Sequence, residues 1–222
     1  MSTKLPRNFV SAASLNLLRN CSRCFWLELV KGIKRPAGAF STLPSRFDGM
    51  IKAYCRPYHG NDTLPPILQR AGLTGRLVDP SLKTWQDPAT GLKLRGYLDE
   101  CLQNPDGTFS PLDHKTRGKQ PESVHHTYQV QLDIYSLLLQ RNDYPISGQG
   151  ILVYYSYAES DLNSGISLSV SSYILATQPE SALTLVQTAA KILTLDNPPL
   201  PSRRCSYCYW VATAGHLVKE FN

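Results

Sequence analysis

Apolar positions that recur every three to four residues predict several helices along the chain. The first covers residues 11–31, with Ser11 as its N-cap residue and Gly32 at its end. The segment 33–45 is rich in Pro, Gly and Ser, which is typical of a loop. The other predicted helices cover residues 46–58, 65–71, 122–141 and 179–194.

Segments rich in β-branched and aromatic residues predict strands between these helices. The strongest local signal is the turn sequence NPDG (104–107), which separates two strand-like segments and predicts a β-hairpin. The predicted strands cover residues 92–102, 108–116, 148–158 and 165–177. This order of elements predicts an α/β fold with a central mixed sheet flanked by helices.

Length and composition are consistent with one domain over residues 1–222, because a chain of this size can bury a substantial core. The formal net charge of +6 is compatible with a polyanionic partner. No apolar run approaches the roughly 20 residues that span a bilayer, and the start lacks the apolar segment of a signal peptide. We therefore expect a cytoplasmic protein without a membrane partner.

The predicted hairpin concentrates charge on one face. Asp113 and Lys115 share that face because side chains alternate along a strand. A three-residue loop ending at Gly107 would place Asp99 about opposite Asp113, roughly 5 Å away. Two carboxylates that close repel each other unless a cation lies between them, and Mg²⁺ or Mn²⁺ favours oxygen ligands. Lys115 would then activate a water molecule or stabilise a negative transition state.

The same three residues also fit a solvated hairpin face with one Asp–Lys ion pair, so the hairpin alone does not decide. The sequences GYLD (96–99), LDHKT (112–116) and QLDIY (131–135) follow each other in order along the chain. This pattern resembles the PD-(D/E)XK nucleases of the RecB-like group, which includes the CRISPR-associated exonucleases with an iron–sulfur cluster.

The resemblance implies a restriction-endonuclease-like core and a role for each matching residue. Asp99 and Asp113 would bind Mg²⁺ or Mn²⁺, and Lys115 would serve catalysis. Gln131 and Tyr135 would line the site next to DNA, and their i, i+4 spacing puts both on one helix face. Both also fit a polar pair at the edge of a core helix.

The first motif departs from the family pattern. RecB-like enzymes usually place a His or Glu on an early helix as a further metal ligand. The corresponding segment here is SRFDGMIKAY (45–54), and Asp48 is the best candidate for that ligand. Asp48 also fits the role of an ordinary residue in the first turn of a helix.

Two C-x-x-C pairs, Cys21 with Cys24 and Cys205 with Cys208, lie near opposite ends of the chain. A tetrahedral four-cysteine centre needs such pairs, and either Zn²⁺ or a [4Fe–4S] cluster fits them. We expect this centre to join segments 1–45 and 196–222 to each other, with residues 46–195 as the catalytic core. The resemblance favours iron–sulfur, although the family usually has one early and three late cysteines, which leaves zinc open. The lone cysteines, Cys55 and Cys101, fit small core residues.

Arg117 and Lys119 lie directly beyond the predicted site, in KTRGK (115–119). Contacts from these side chains to phosphates would give sequence-independent, salt-sensitive nucleic-acid binding. Ordinary solvated charges are the alternative interpretation.

These features together predict a metal-dependent DNA nuclease that hydrolyses phosphodiester bonds. The resemblance implies exonuclease action on single strands or ends, in DNA repair, recombination or defence. A separate helicase or other DNA-processing protein is an expected partner, because the sequence shows no helicase motor. The alternatives are a catalytically inactive nucleic-acid-binding or adaptor protein with the same fold, and a zinc-ribbon-like interaction module.

Overall fold

The computed structural model describes residues 8–36, 42–158, 163, 165 and 167–218. The chain divides into two compact units, each of which is built from separate segments. The first consists of Met1–Gly38, Gln86–Arg95 and Leu183–Asn222, and the second of Ala39–Trp85 and Gly96–Ala182.

A five-stranded mixed sheet forms the centre of the second unit. Its strands are β2 (Arg76–Val78), β5 (Glu100–Gln103), β6 (Phe109–Arg117), β7 (Gln149–Tyr157) and β8 (Leu168–Ala176), in the spatial order β2-β5-β6-β7-β8. Only the β6–β7 pair is parallel among these strands, and the neighbouring pairs are antiparallel. A parallel pair needs a crossover connection, and the helix α5 (His126–Gln140) supplies it.

Helices cover both faces of this sheet, so its central strands are buried on both sides. Alternate residues of β7 therefore enter two different clusters. Ile151, Val153 and Tyr155 pack in the cluster that includes residues of α3 (Leu43–Cys55) and α4 (Pro66–Arg70). Leu152 and Tyr154 pack with Leu132 of α5. This burial on two faces explains the near-continuous apolar sequence of β7.

The first unit contains α1 (Ala12–Asn20), α2 (Ser22–Lys31), α7 (Ser206–Val218) and most of α6 (Pro179–Leu193). A small sheet consists of β1 (Phe9–Val10), β4 (Lys93–Leu94) and β3 (Trp85–Gln86), in the order β1-β4-β3. Ser11 caps α1 through a reciprocal pair of hydrogen bonds with Ser14. Gly32 ends α2 in the left-handed conformation, with a φ of 72°.

The structure confirms the predicted α/β class and corrects several boundaries. The predicted helix 11–31 is broken at Cys21, whose extended backbone (φ −164°, ψ 109°) ends α1 and begins α2. The predicted strand 92–102 contains only the short β4 and β5, with an irregular segment between them. Helix α5 begins at His126 rather than at residue 122, because the His125 ring accepts a hydrogen bond from the Thr127 amide and caps it.

Four described elements, β1, β2, β3 and α7, have no counterpart in the sequence prediction. Strand β2 has three residues, too few for an alternating pattern to be visible. Among the helices within the described part of the chain, none is both long and apolar enough to cross a membrane.

Candidate active site and cysteine centre

The β5–β6 hairpin brings Asp99 and Asp113 together. Glu100 pairs with Leu112 in the antiparallel register, which places Asp99 opposite Asp113 just before β5 begins. The loop has three residues, and Gly107 takes a φ of 84° at its end, as predicted. The Asp99 carboxylate accepts a hydrogen bond of 3.3 Å from the His114 amide. Turn chemistry and pairing register therefore set the approach of the two acids.

Asp113 is almost completely buried, with 1% of its surface exposed. Its Oδ1 accepts a hydrogen bond of 2.7 Å from the Gln131 amide, and its Oδ2 forms an ion pair with Lys115. Burial raises the pKa of Asp113 to about 6, against the lowering effect of the Lys115 ammonium and with a further raising effect of Asp99. A buried carboxylate in this state binds a proton or a cation readily.

Helix α5 contributes Gln131 and Tyr135 to the same site. The Gln131 side chain accepts a hydrogen bond of 3.3 Å from Lys115 Nζ, and it donates one of 3.1 Å to the Tyr135 hydroxyl. Burial raises the pKa of Tyr135 to about 12, so its hydroxyl keeps its proton at neutral pH. Gln131 thus links the carboxylate, the lysine and the tyrosine in one network.

Gly96 lets the segment before Asp99 approach α5 closely. A Cβ atom at this position would lie 2.5 Å from Leu138 Cδ1 and 3.2 Å from Tyr135 Cε1. A larger residue here would require the Leu138 side chain to shift, so the glycine lets the segment lie against α5 without that rearrangement. The glycine of the GYLD motif therefore has a packing role next to the acid.

The four paired cysteines converge within the first unit. The Sγ atom of Cys24 lies 3.7 Å from that of Cys205 and 3.4 Å from that of Cys208, and the sulfurs of Cys21 and Cys208 are 3.8 Å apart. Each pair has the same local design: one cysteine directly precedes a helix, and its partner lies in the first turn of that helix. The break at Cys21 thus places the first pair at the start of α2.

A positively charged side chain lies next to these sulfurs. The Arg35 guanidinium donates a hydrogen bond of 3.3 Å to Cys205 Sγ, and the Cys208 amide donates one of 3.5 Å to the same sulfur. Burial raises the pKa of the Cys21 thiol, but hydrogen bonds from the Ser202 and Cys24 backbones outweigh burial and lower it to about 7. A partly ionised thiol among four convergent sulfurs is suited to hold a metal centre, either Zn²⁺ or iron–sulfur.

Sequence comparison decides the family. The sequence model of the PD-(D/E)XK nuclease superfamily matches residues 47–213, about three quarters of the chain. The chain belongs to the PD-(D/E)XK nuclease superfamily. A search of curated protein sequences gives no significant match. Among solved structures, the chain is similar to one described as "Crystal structure of SSO0001", with 19% identity and a TM-score of 0.50. That match covers 93% of this chain and 85% of the other, and it supports the shared fold.

Membership of the PD-(D/E)XK superfamily suggests a nuclease, and the fold is consistent with the restriction-endonuclease-like class. Nucleases of this superfamily act on DNA and usually use divalent metals. The donors at the hairpin fit such an ion, because Asp99, Asp113 and Gln131 all offer oxygen atoms to the site. Lys115 contacts the Asp113 and Gln131 oxygens. The residues present therefore suit Mg²⁺ or Mn²⁺.

Lys52 is a residue of this PD-(D/E)XK site that the sequence prediction missed. Its Nζ lies 2.7 Å from the Asp99 carboxylate and 2.9 Å from that of Asp48, one helical turn away. The two carboxylates outweigh the lowering effect of burial and raise the pKa of Lys52. The i, i+4 spacing of Asp48 and Lys52 was a visible signal, but only the fold shows that Lys52 reaches Asp99. Asp48 as a metal ligand stays a prediction, with 40% of its side chain exposed and Lys52 between it and Asp99.

Basic and aromatic side chains continue outward from the site. Arg117 and Lys119 are exposed, and the Arg117 guanidinium donates a hydrogen bond of 3.2 Å to the Tyr128 hydroxyl. The Lys115 ammonium lies 4.7 Å from the centre of the Tyr128 ring, a cation–π contact. Tyr128 was not predicted as a site residue, since its sequence neighbourhood gives no sign that its ring joins the two cations.

Proposed function

We propose that this chain is a metal-dependent DNA nuclease of the RecB-like group that hydrolyses phosphodiester bonds, acting as an exonuclease on single strands or ends. The observation that carries the proposal is the convergence of Asp113 and Lys115 on the Gln131 side chain, with Asp99 opposite Asp113 in the hairpin. An ordinary solvated hairpin would not bury Asp113 almost completely beside a second acid.

Each side chain has a distinct role in the proposal. Asp99 and Asp113 would hold Mg²⁺ or Mn²⁺, with Asp48 as a further ligand once Lys52 moves aside. A bound ion of this kind supplies positive charge that polarises the phosphate and lowers the pKa of water. The Lys115 ammonium is positioned to stabilise negative charge at the phosphate or to orient the attacking water. Gln131 fixes both Asp113 and Lys115, and Tyr135 holds Gln131 in place.

Nucleic acid would bind along the exposed basic side chains beyond Lys115. Arg117 and Lys119 are exposed beyond Lys115, where contacts to phosphates would position a strand without reading its sequence. The Tyr128 hydroxyl already orients Arg117. Binding of this kind supports an enzyme that acts on strands or ends irrespective of their sequence.

For the cysteine centre, the resemblance to iron–sulfur exonucleases favours a [4Fe–4S] cluster. The sulfurs of the four paired cysteines lie within 4.8 Å of one another, and four thiolates suit either that cluster or a tetrahedral Zn²⁺. The family usually has one early and three late cysteines, which keeps zinc as the alternative. Elemental analysis and the colour of the protein separate the two groups.

A second candidate function is a nucleic-acid-binding protein without catalysis. The contact between Lys52 and Asp99 favours it, because an ammonium there already neutralises one of the two acids. Metal-dependent turnover separates this candidate from the nuclease.

Incubation of the purified chain with Mn²⁺ and end-labelled DNA tests the proposal. We expect cleavage by the wild type and loss of cleavage in Asp113→Ala and Lys115→Ala, with DNA binding retained in Ca²⁺. Asp106→Ala is the matched control, since Asp106 lies in the exposed turn of the same hairpin and should leave the rate unchanged. Undiminished cleavage by the Asp113 and Lys115 variants would contradict the proposal. Binding without turnover by the wild type would favour the second candidate.

A further inference from the structure

A second group of metal-ligand side chains lies on the face of the β5–β6 hairpin that points away from Asp113. Glu100 and His114 follow Asp99 and Asp113 in sequence, and the alternation of strand residues turns them to this other face. Cys55 reaches them from the last turn of α3. The Cys55 sulfur, a Glu100 oxygen and a His114 nitrogen all lie within 4.8 Å of one another, and all three residues are buried.

The separations in this group suit an ion better than direct hydrogen bonds. His114 Nε2 lies 4.0 Å from Cys55 Sγ and 3.9 Å from Glu100 Oε1. A nitrogen–oxygen hydrogen bond is about 2.7–3.2 Å long, so the 3.9 Å separation is too long for one. Around a tetrahedral Zn²⁺ the corresponding ligand atoms lie about 3.3–3.6 Å apart, which a contraction of a few tenths of an ångström would reach.

The surrounding hydrogen bonds orient the ligand atoms. The Tyr155 hydroxyl lies 3.2 Å from His114 Nδ1, so a proton on Nδ1 can be donated to it. Nε2 then keeps its lone pair toward Cys55 and Glu100, as in zinc sites where the second ring nitrogen is hydrogen-bonded. His59 Nε2 contacts the other Glu100 oxygen, and 27% of the His59 side chain is exposed. His59 thus lies beside the group of three ligands and provides a route from solvent, and it would become a fourth donor by turning from this Glu100 oxygen toward the ion.

We propose that Cys55, Glu100 and His114, with His59 as the fourth donor, form a structural Zn²⁺ site. Thiolate, imidazole and carboxylate together are a zinc-type donor set, unlike the oxygen donors on the opposite face. An ion there would link α3 to the β5–β6 hairpin at Glu100 and His114, which directly follow Asp99 and Asp113. The proposal is independent of the nuclease function, because its ligands point away from Asp113 and its readout is metal content.

Zinc content of the full-length protein tests the site. The wild type, Cys55→Ala and Cys101→Ala are saturated with Zn²⁺, passed through gel filtration and measured by elemental analysis. Cys101 is the matched control, because it is an equally buried cysteine on β5 that is not part of the group. We expect Cys55→Ala to hold one zinc per chain fewer than both other proteins, whatever occupies the centre formed by the two C-x-x-C pairs.

If Cys55→Ala fails to fold, two other measurements test the site: the zinc affinity of His59→Ala and the X-ray absorption spectrum of the wild type. His59 is partly exposed, so this variant removes a donor without opening a core cavity, and we expect its zinc affinity at the site to fall at least about tenfold. The zinc absorption edge of the wild type should show nitrogen and oxygen ligands in addition to sulfur. Equal zinc content in the wild type and Cys55→Ala, unchanged affinity in His59→Ala, or a sulfur-only spectrum would each overturn the site.

Discussion

Replacement of Asp113 by Asn should stabilise the protein in the absence of divalent metal while abolishing nuclease activity. Asp113 is buried beside Asp99, and its pKa rises from the ordinary value of 3.8 to about 6. The folded protein then binds a proton more tightly than the unfolded chain does. Ionised Asp113 therefore lowers the free energy of unfolding at neutral pH, and a neutral asparagine of the same shape removes that penalty.

The magnitude follows from the pKa difference. A rise of about two pH units, at about 1.4 kcal/mol per unit, corresponds to about 3 kcal/mol. The destabilisation by ionised Asp113 depends on pH. It is absent below about pH 4, where Asp113 is protonated in both the folded and the unfolded protein. It grows between about pH 4 and 6 and is complete above about pH 6, so rising pH destabilises the wild type through this group. We expect Asp113→Asn to be more stable by up to about 3 kcal/mol at about pH 7.5.

Urea denaturation of wild type and Asp113→Asn at about pH 4 and about pH 7.5 measures this difference, in buffer freed of Mg²⁺ and Mn²⁺ by chelating resin. Added Mn²⁺ provides an internal control, since it should stabilise the wild type by mass action and leave the variant unchanged. The reasoning fails if the variant is less stable than the wild type at the higher pH. It also fails if the two proteins differ as much at the lower pH as at the higher one.

Three further changes test other parts of the molecule. Gln131→Ala releases both Lys115 and Asp113, so we expect the single-turnover cleavage rate to fall about tenfold, and an unchanged rate would remove Gln131 from the site. Arg117→Ala should lower the slope of log affinity for DNA against log salt by about 1 in anisotropy titrations, whereas an unaltered slope would mean that Arg117 contacts no phosphate. Cys205→Ser should lose the metal of the four-cysteine centre and lower the thermal midpoint. Elemental analysis should find iron in that centre and the wild type should be brown, while a colourless protein containing zinc would establish the alternative.

The approach of Asp99 to Asp113 was predictable from sequence because it depends on local rules. The turn NPDG fixes the loop at three residues through Gly107, and strand pairing then counts back to the opposed pair. Gln131 and Tyr135 were predictable as neighbours for the same reason, since helical spacing puts i and i+4 on one face. Local backbone geometry, carried over a short segment of chain, was sufficient for these contacts.

Other contacts join elements whose relative placement no local rule specifies. Helical spacing pairs Asp48 with Lys52, but nothing in the sequence brings Lys52 onto Asp99, because that contact depends on how α3 packs against the sheet. The break at Cys21 was hidden within a continuous apolar helical pattern. Its extended conformation places Cys21 and Cys24 at the start of α2, near the sulfurs of cysteines at the other end of the chain.

The sequence by itself therefore determined the α/β class, the hairpin with its opposed acids, and the two C-x-x-C pairs as candidate ligands. Each of these follows from periodicity, turn chemistry or spacing within a short segment. Tertiary structure decided how deeply Asp113 is buried, which cation faces Asp99, and that Cys55 meets Glu100 and His114. Those properties arise from packing between helices and the sheet. Side chains distant in sequence exclude water there, and this sets the strength of the electrostatic interactions between the buried groups.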